Sequence, residues 1–337
     1  MKVKLSSLEG QDDFVLLAPG FSDSSQWGLL REARLVEPGT STPPDASVYL
    51  ARYETPGAAA MQLSGRLERI DLELDIEPPA LTWSLDERDY LEQVELIREA
   101  IAAGDVYQVN LTRPAWVECE TGAQLLAALC RRGVPRFAAW FRLRAVWEVV
   151  SASPEMLFDL EGRRARAEPM KGTAAADQRA WLEASVKDQA ELAMITDLLR
   201  NDLNHLCVPG SVQVPNARRF LELPYVVQAV SDIEGQLRAE VSLREVLAQL
   251  HPGGSITGAP REAARSLIAR LEGAPRDFYC GLLAYQHGPR CRASLLIRTA
   301  QRAHGTTWRY GVGGGITWAS KADSELAELR LKLGALA

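Results

Sequence analysis

Cysteine and histidine are scarce here: five cysteines (Cys119, Cys130, Cys207, Cys280, Cys291) and four histidines (His205, His251, His287, His304) in 337 residues. No two cysteines form a CxxC pair and their number is odd. That excludes a readable disulfide framework or zinc ribbon, and reduced, packed thiols of a cytoplasmic protein are expected. The histidines have no metal-ligand spacing. No apolar run approaches the roughly 20 residues that a helical membrane span needs. The opening Met1-Lys2-Val3-Lys4-Leu5 is followed by neither an apolar stretch nor a small-residue cleavage site, so no signal peptide is expected there. Basic blocks are missing as well. With a formal net charge of −6 and no aromatic-basic interleaving, a nucleic-acid partner is not expected. Internal repeats and low-complexity tracts are absent.

What remains is an ordinary globular composition, 47% hydrophobic and 24% charged, with room for a large core. Residues 1–80 are mixed and rich in Pro, Gly and Ser, and 76–83, with Pro78 and Pro79, reads as a linker. The expected division is a short N-terminal segment, 1–80, packed on a main domain, 81–337. Ser84 with Glu87 three residues on reads as a capping box. Tyr90, Val94, Ile97 and Ile101 follow at helical spacing as far as Gly104. Strands are expected at 137–142, 146–151, 155–160 and 163–168, the last two hairpinned through Glu161-Gly162. A helix over 181–204 would bury Leu192, Ile195, Leu198 and Leu199. Further strands at 225–234, 278–286, 293–300 and 307–317, with helices at 259–271 and 320–333, complete the pattern. Hairpin neighbours favour antiparallel pairing, so the fold class is α+β, with large, mainly antiparallel sheets flanked by helices.

Several residues could carry chemistry. Lys171 lies in Glu168-Pro169-Met170-Lys171-Gly172-Thr173, where Pro fixes φ and Gly permits close approach. An amine becomes a nucleophile when burial or a nearby cation lowers its pKa; alone, such a lysine is a surface charge. Glu191, with Asp188 a turn earlier, and Glu325 with Glu328 put oxygen ligands on two helices. Magnesium suits such ligands, though either helix alone reads as a solvated face. Thr257-Gly258-Ala259-Pro260 opens a helix and could hold an anion or simply cap it. Gly311-Val312-Gly313-Gly314-Gly315 lacks dinucleotide spacing; it is a bulged strand or backbone pressed against a carboxylate. Gly253-Gly254-Ser255 fails as a nucleophile elbow because Thr257 stands where a glycine is needed. Arg298 and Tyr279, on neighbouring strands, are a core-edge stack or an anion grip. Glu155 is an exposed charge or an acid.

In order along the chain stand Gly104 to Thr112, Ser151-Ala152-Ser153-Pro154-Glu155, Pro169 to Thr173, Asp197 to Leu203, Pro252 to Pro260, Tyr279-Cys280-Gly281, Ile297-Arg298-Thr299 and Gly313-Gly314-Gly315-Ile316. This series resembles the chorismate-utilising enzymes over about residues 84–337. The resemblance implies their fold, a magnesium ion held directly by Glu191 and Glu328 and through water by Glu325, and a ring-carboxylate grip by Arg298 and Tyr279. It also implies substrate contacts from Gln108, Gly172, Thr173, Thr257, Gly313, Gly314 and Gly315. Glu155 becomes the general acid for the departing C4 hydroxyl.

Within that family, members that add water resemble this motif but carry a lysine base where Gln108 stands, and a glutamine is no base. Members forming anthranilate carry a small residue in place of Lys171. Gln108 with Lys171 is the pattern of aminodeoxychorismate synthesis through a covalent Lys171 adduct. Ammonia would come from a separate glutamine amidotransferase subunit, since no Cys-His-Glu glutaminase arrangement is evident. The alternatives are an anthranilate synthase component I and a non-catalytic binding protein of the same fold. Departures from the pattern are Gln228 in a frequent histidine position, Arg261 for lysine, Met170 for a β-branched residue, and Leu16-Leu17-Ala18 in place of the Leu-Leu-Glu-Ser of tryptophan-inhibited members.

Overall fold

The strand Phe137–Leu143 explains the architecture, because it is apolar on both faces. Phe137, Ala139 and Phe141 point into one core with Val15, Leu17, Val48, Leu50, Phe278 and Leu283. Ala138 and Trp140 point into the other, larger core, with the helices. A strand buried on both sides must lie in the middle of a layered sheet system. In the computed structural model, residues 1–11, 13–22, 24–36, 46–55, 57–143, 146–223, 226–303 and 306–334 are described. Among them, 19 strands form the sheet system, and their ladders are antiparallel except where Lys2–Lys4 runs beside 71–73. The expected α+β class is what the chain adopts.

Strands from the first 80 residues are hydrogen-bonded into this sheet. Phe14–Leu17 pairs with Phe137–Leu143, and Ala46–Ala51 pairs with Leu282–His287. The larger core is closed by Glu87–Ala102, Gly122–Leu129, Leu243–Leu250, Arg261–Glu272 and Ala322–Gly334, each setting apolar side chains against the sheet. Val186–Asn204 covers a smaller cluster of Ala174, Leu182, Leu192, Val227 and Ala229. No described helix is long and apolar enough to cross a membrane.

Local differences from the sequence reading have identifiable causes. The first long helix starts at Glu87, capped by Asp86, which accepts from Asp89 N–H; Ser84 belongs instead to the strand Thr82–Ser84, paired with Trp116 to Glu118. The 181–204 helix is two helices, Arg179–Ala184 and Val186–Asn204, because Ser185 leaves helical geometry to cap Asp188 N–H. Asp188 is therefore engaged by the cap, its N–H donating to Ser185 Oγ and its carboxylate accepting from that hydroxyl. The strand expected over 293–300 is interrupted: Arg290–Leu295 and Thr299–Ala303 flank a turn in which Arg298 takes φ 50°. Arg298 is thus not on a strand. Tyr279 also lies in a turn, just before Leu282–His287. The helices Gly122–Leu129 and Leu243–Leu250, each with a capping box, and the strand Gln213–Glu222 were not anticipated.

One polar network anchors the sheet beside Trp140. Glu148 accepts from Trp140 Nε1 at 3.0 Å, from Arg142 at 2.9 Å and from Arg302 at 2.7 Å. Removing this carboxylate leaves Trp140 Nε1 and the Arg302 guanidinium without their side-chain acceptor, while Arg142 keeps Glu9 at 2.8 Å, so Glu148→Ala is expected to cost about 3 kcal/mol. Urea unfolding measures this; a loss below about 1 kcal/mol would show that the network contributes little.

Candidate active site

The glycine strand Trp308–Ile316 forms the floor of the site, paired along its length with Gln108–Glu118. Missing side chains are what allow charged groups to reach it. A Cβ at Gly315 would lie 2.7 Å from Gln108 Nε2 and 3.4 Å from Lys171 Nζ. One at Gly314 would lie 3.5 Å from Glu325 Oε2 and 3.7 Å from Lys332 Nζ. At Gly311 it would stand 2.1 Å from the Tyr279 ring, so only glycine admits that ring. Gly313 lies against the neighbouring strand at Leu111 and Thr112 and gives its carbonyl to Lys332 Nζ at 2.7 Å.

Lys171 reaches this floor from the strand Met170–Ala175. Gly172 follows it with φ 91°, and a Cβ there would meet Leu182 and Asp188 at about 3 Å, so the start of the Val186–Asn204 helix sits directly on the strand. That contact sets Glu191 over Lys171, with Nζ 2.8 Å from Glu191 Oε2. Lys187 Nζ lies 3.8 Å from Glu191 and 3.7 Å from Glu325 on the facing helix. Ser320 Oγ donates to Glu325 at 2.7 Å, and Lys332 Nζ lies 2.9 Å from Glu328. Three carboxylates and three ammonium groups therefore interlock.

The electrostatics follow from this arrangement. Burial pushes the Lys171 ammonium down, but Glu191, with Glu328 and Glu325 behind it, outweighs burial and holds it above the ordinary lysine value. The free site thus keeps Lys171 protonated, the lowering by burial being outweighed by the carboxylates around it. For Glu328, burial pushes up and the lysines, led by Lys332, pull its pKa below the ordinary value. For Lys332, burial wins and its pKa is lowered. The donor set, carboxylate oxygens from two facing helices, fits a hard divalent ion such as magnesium. Among the described residues, however, no three acidic, histidine or cysteine side chains converge as ligands, because the ammonium groups stand between the carboxylates.

Glu155, just before the strand Met156–Glu161, behaves differently. It is buried, with Ser255 Oγ donating to Oε1 at 3.2 Å. Burial pushes its carboxyl up to about 7, against smaller opposing contributions from Ser255 and Lys171. A proton held there at neutral pH is what a general acid requires. Three polar atoms of residues singled out in the sequence are buried without a hydrogen-bond partner among the described residues: Gln108 Oε1, Gln228 Oε1 and Thr257 Oγ1. Gln228 is paired in register with Thr173, and its Nε2 lies 3.4 Å from the Thr173 hydroxyl. The carbonyl before Thr257, that of Ile256, accepts from Asn110 Nδ2 at 3.2 Å and from Arg276 Nη1 at 2.7 Å. Arg276 is itself buried on Glu272. The Arg298 guanidinium makes no hydrogen bond or ion pair within the described residues; only its backbone is held, accepting from Ala152 N–H at 3.0 Å.

Of the residues expected from sequence, Gln108, Lys171, Glu191, Glu325, Gly314 and Gly315 share direct contacts or a common neighbour, and Glu328 joins them through Lys332. Glu155 feels the charge of Lys171. Tyr279 meets the same glycine strand at Gly311. Among the described residues, no hydrogen bond or ion pair ties the Arg298 side chain to the cluster. Lys187, Lys332, Ser255, Ser320 and Arg276 were missed. The lysines were legible as neighbours four residues from Glu191 and Glu328, the spacing of adjacent helical side chains.

Raising the Glu155 pKa from 4.5 to about 7 means that the folded protein binds this proton more tightly than the unfolded chain. Its contribution to stability is therefore lost as pH rises from about 4.5 to about 7. Relative to wild type, Glu155→Gln should gain on the order of 3 kcal/mol across that window. Urea midpoints of both proteins from pH 4.5 to 8 check this, and a difference that does not vary with pH would contradict it.

The sequence profile of the chorismate binding enzymes matches residues 36–337. Aminodeoxychorismate synthase component 1 of Salmonella typhimurium is 34% identical over 250 residues, covering 71% of this chain and 55% of that protein. An anthranilate synthase component 1 of Haloarcula marismortui is 34% identical over 263 residues, covering 74% and 51%. The matched part of the chain thus spans about half the length of these relatives. In shape, the chain is similar to the menaquinone-specific isochorismate synthase of Escherichia coli, with TM-score 0.79, 18% identity, and 98% and 90% of the two chains covered. The component I structure of anthranilate synthase from Streptococcus pneumoniae gives TM-score 0.74 at 18% identity, covering 96% and 89%. These structural likenesses bear on the fold, and the profile and sequence matches place the chain in the chorismate binding enzyme family.

Proposed function

We propose that the chain aminates chorismate to 4-amino-4-deoxychorismate, using ammonia delivered by a separate glutamine amidotransferase subunit, on the route to p-aminobenzoate and folate. The observation that carries this reading is Gln108 and Lys171 meeting at Gly315. A glutamine supplies no base to activate water, and a lysine amine stands beside it as the group able to form a bond with the ring.

Lys171, paired with Glu191 in the free protein, first loses its proton to water in the cleft, because Glu191 is the carboxylate that would hold the cation. Its Nζ lone pair then forms a bond to C2 of chorismate, the ring double bond shifts, and the C4–O bond breaks. Glu155 donates its proton to that oxygen, which departs as water. Ammonia next attacks C4, the double bond shifts back, the C2–N bond breaks, and Lys171 leaves as an amine. Splitting one displacement into two allylic steps lowers each barrier. Glu191 and Glu328, with Glu325 through water, are the residues that would hold magnesium, which when bound supplies positive charge for a substrate carboxylate. Tyr279 and Arg298 would take the ring carboxylate; an Arg298 guanidinium without an ion pair among the described residues supports that role.

Incubation with chorismate, magnesium and an ammonium salt, followed by the lyase that forms p-aminobenzoate, should yield p-aminobenzoate. Anthranilate fluorescence instead would overturn this reading in favour of anthranilate synthesis. Neither turnover nor magnesium-dependent chorismate binding in a calorimeter would leave a binding protein of the same fold. Lys171→Ala should cut p-aminobenzoate formation at least about a hundredfold while chorismate binding persists. Full activity of that variant would exclude covalent catalysis.

A further inference from the structure

We propose that Lys187 is a built-in counter-ion of the carboxylate cluster that must swing out when a divalent cation enters, and so sets metal affinity; this rests on reading Glu191, Glu325 and Glu328 as metal ligands. Its position is not explained by its own helix. Lys187 occupies the first turn of Val186–Asn204, where the helix dipole disfavours a cation. Lysine placed before glutamate at i,i+4 is also the weaker order for a helical pair. What holds it is the second carboxylate: its Nζ stands between Glu191 at 3.8 Å and Glu325 at 3.7 Å, bridging the two helices.

Of the three lysines in the cluster, Lys187 is the one free to leave. Its side chain is 55% exposed, against 23% for Lys171 and 39% for Lys332. Lys332 is further tied to the Gly313 carbonyl, and Lys171 lies against Gly315. With three carboxylates facing three ammonium groups, adding a dication without expelling a cation would leave excess positive charge in a partly buried cleft. Moving Lys187 into water removes one charge and frees an oxygen on each of two helices.

Manganese serves as the probe, its binding followed by electron paramagnetic resonance with and without chorismate. Lys187→Met should bind Mn2+ roughly three- to tenfold tighter than wild type, the amount expected from releasing two partly exposed ion pairs. Metal-free Lys187→Met should also melt below wild type, because Glu191 and Glu325 then repel. Lys187→Arg, which keeps the charge, should bind no tighter than wild type. Lys321→Met removes an exposed lysine that makes no ion pair in the described residues and should leave affinity within about twofold. Equal affinity of wild type and Lys187→Met, or equal tightening by Lys321→Met, overturns the proposal while leaving the metal reading intact. No Mn2+ binding by any of these proteins, with or without chorismate, would remove both.

Discussion

The 2.8 Å contact between Lys171 Nζ and Glu191 Oε2 ties a strand of the sheet to the helix above it, and the placement of the other charged groups depends on it. Two glycines make it possible. Gly172, in a left-handed conformation, lets the helix start settle on the strand, while Gly315 leaves the ammonium room above the floor. A side chain at either position would push apart the elements that bring the ions together. Lys171 is thus held charged in the free protein and becomes a nucleophile only on giving up its proton.

Carboxyl groups in the same cleft are driven in opposite directions by their neighbours. Glu328 lies beside Lys332 and within the field of Lys171 and Lys187, so its ionised form is favoured despite burial. Glu155 has a serine hydroxyl and only a more distant lysine, so burial dominates and its proton is retained up to about pH 7. One environment suits a cation ligand and the other an acid, a division of labour that needs no difference in residue type.

Much of this was legible in the sequence, and the residues missed share a cause. Periodicity and capping signals located the long helices to within a few residues. Apolar alternation located the strands between 137 and 168 and those near 225–234, 278–286 and 307–317, but not Gln108–Glu118, Met170–Ala175 or Gln213–Glu222. The Ser84 cap failed because a downstream strand, Trp116 to Glu118, captures Ser84 into a ladder, a pairing about 30 residues away that local patterning cannot show. Arg298 was placed on a strand because its neighbours are apolar and β-branched, yet its φ of 50° breaks the strand there. The ordered motifs indicated which residues would gather, including Gln108, Lys171, Glu191 and Glu325. They could not show that lysines, rather than open space, separate the carboxylates. That fact depends on side-chain reach across two helices.

Covalent participation of Lys171 is the central claim, and the most direct test is mass spectrometry of wild-type protein mixed with chorismate and magnesium in the absence of ammonia, then acid-quenched and digested. A peptide carrying Lys171 with the added mass of chorismate less water is the expected result, and it should disappear when ammonia is supplied before the quench. Unmodified Lys171 in protein that turns over chorismate once ammonia is added would contradict the covalent mechanism.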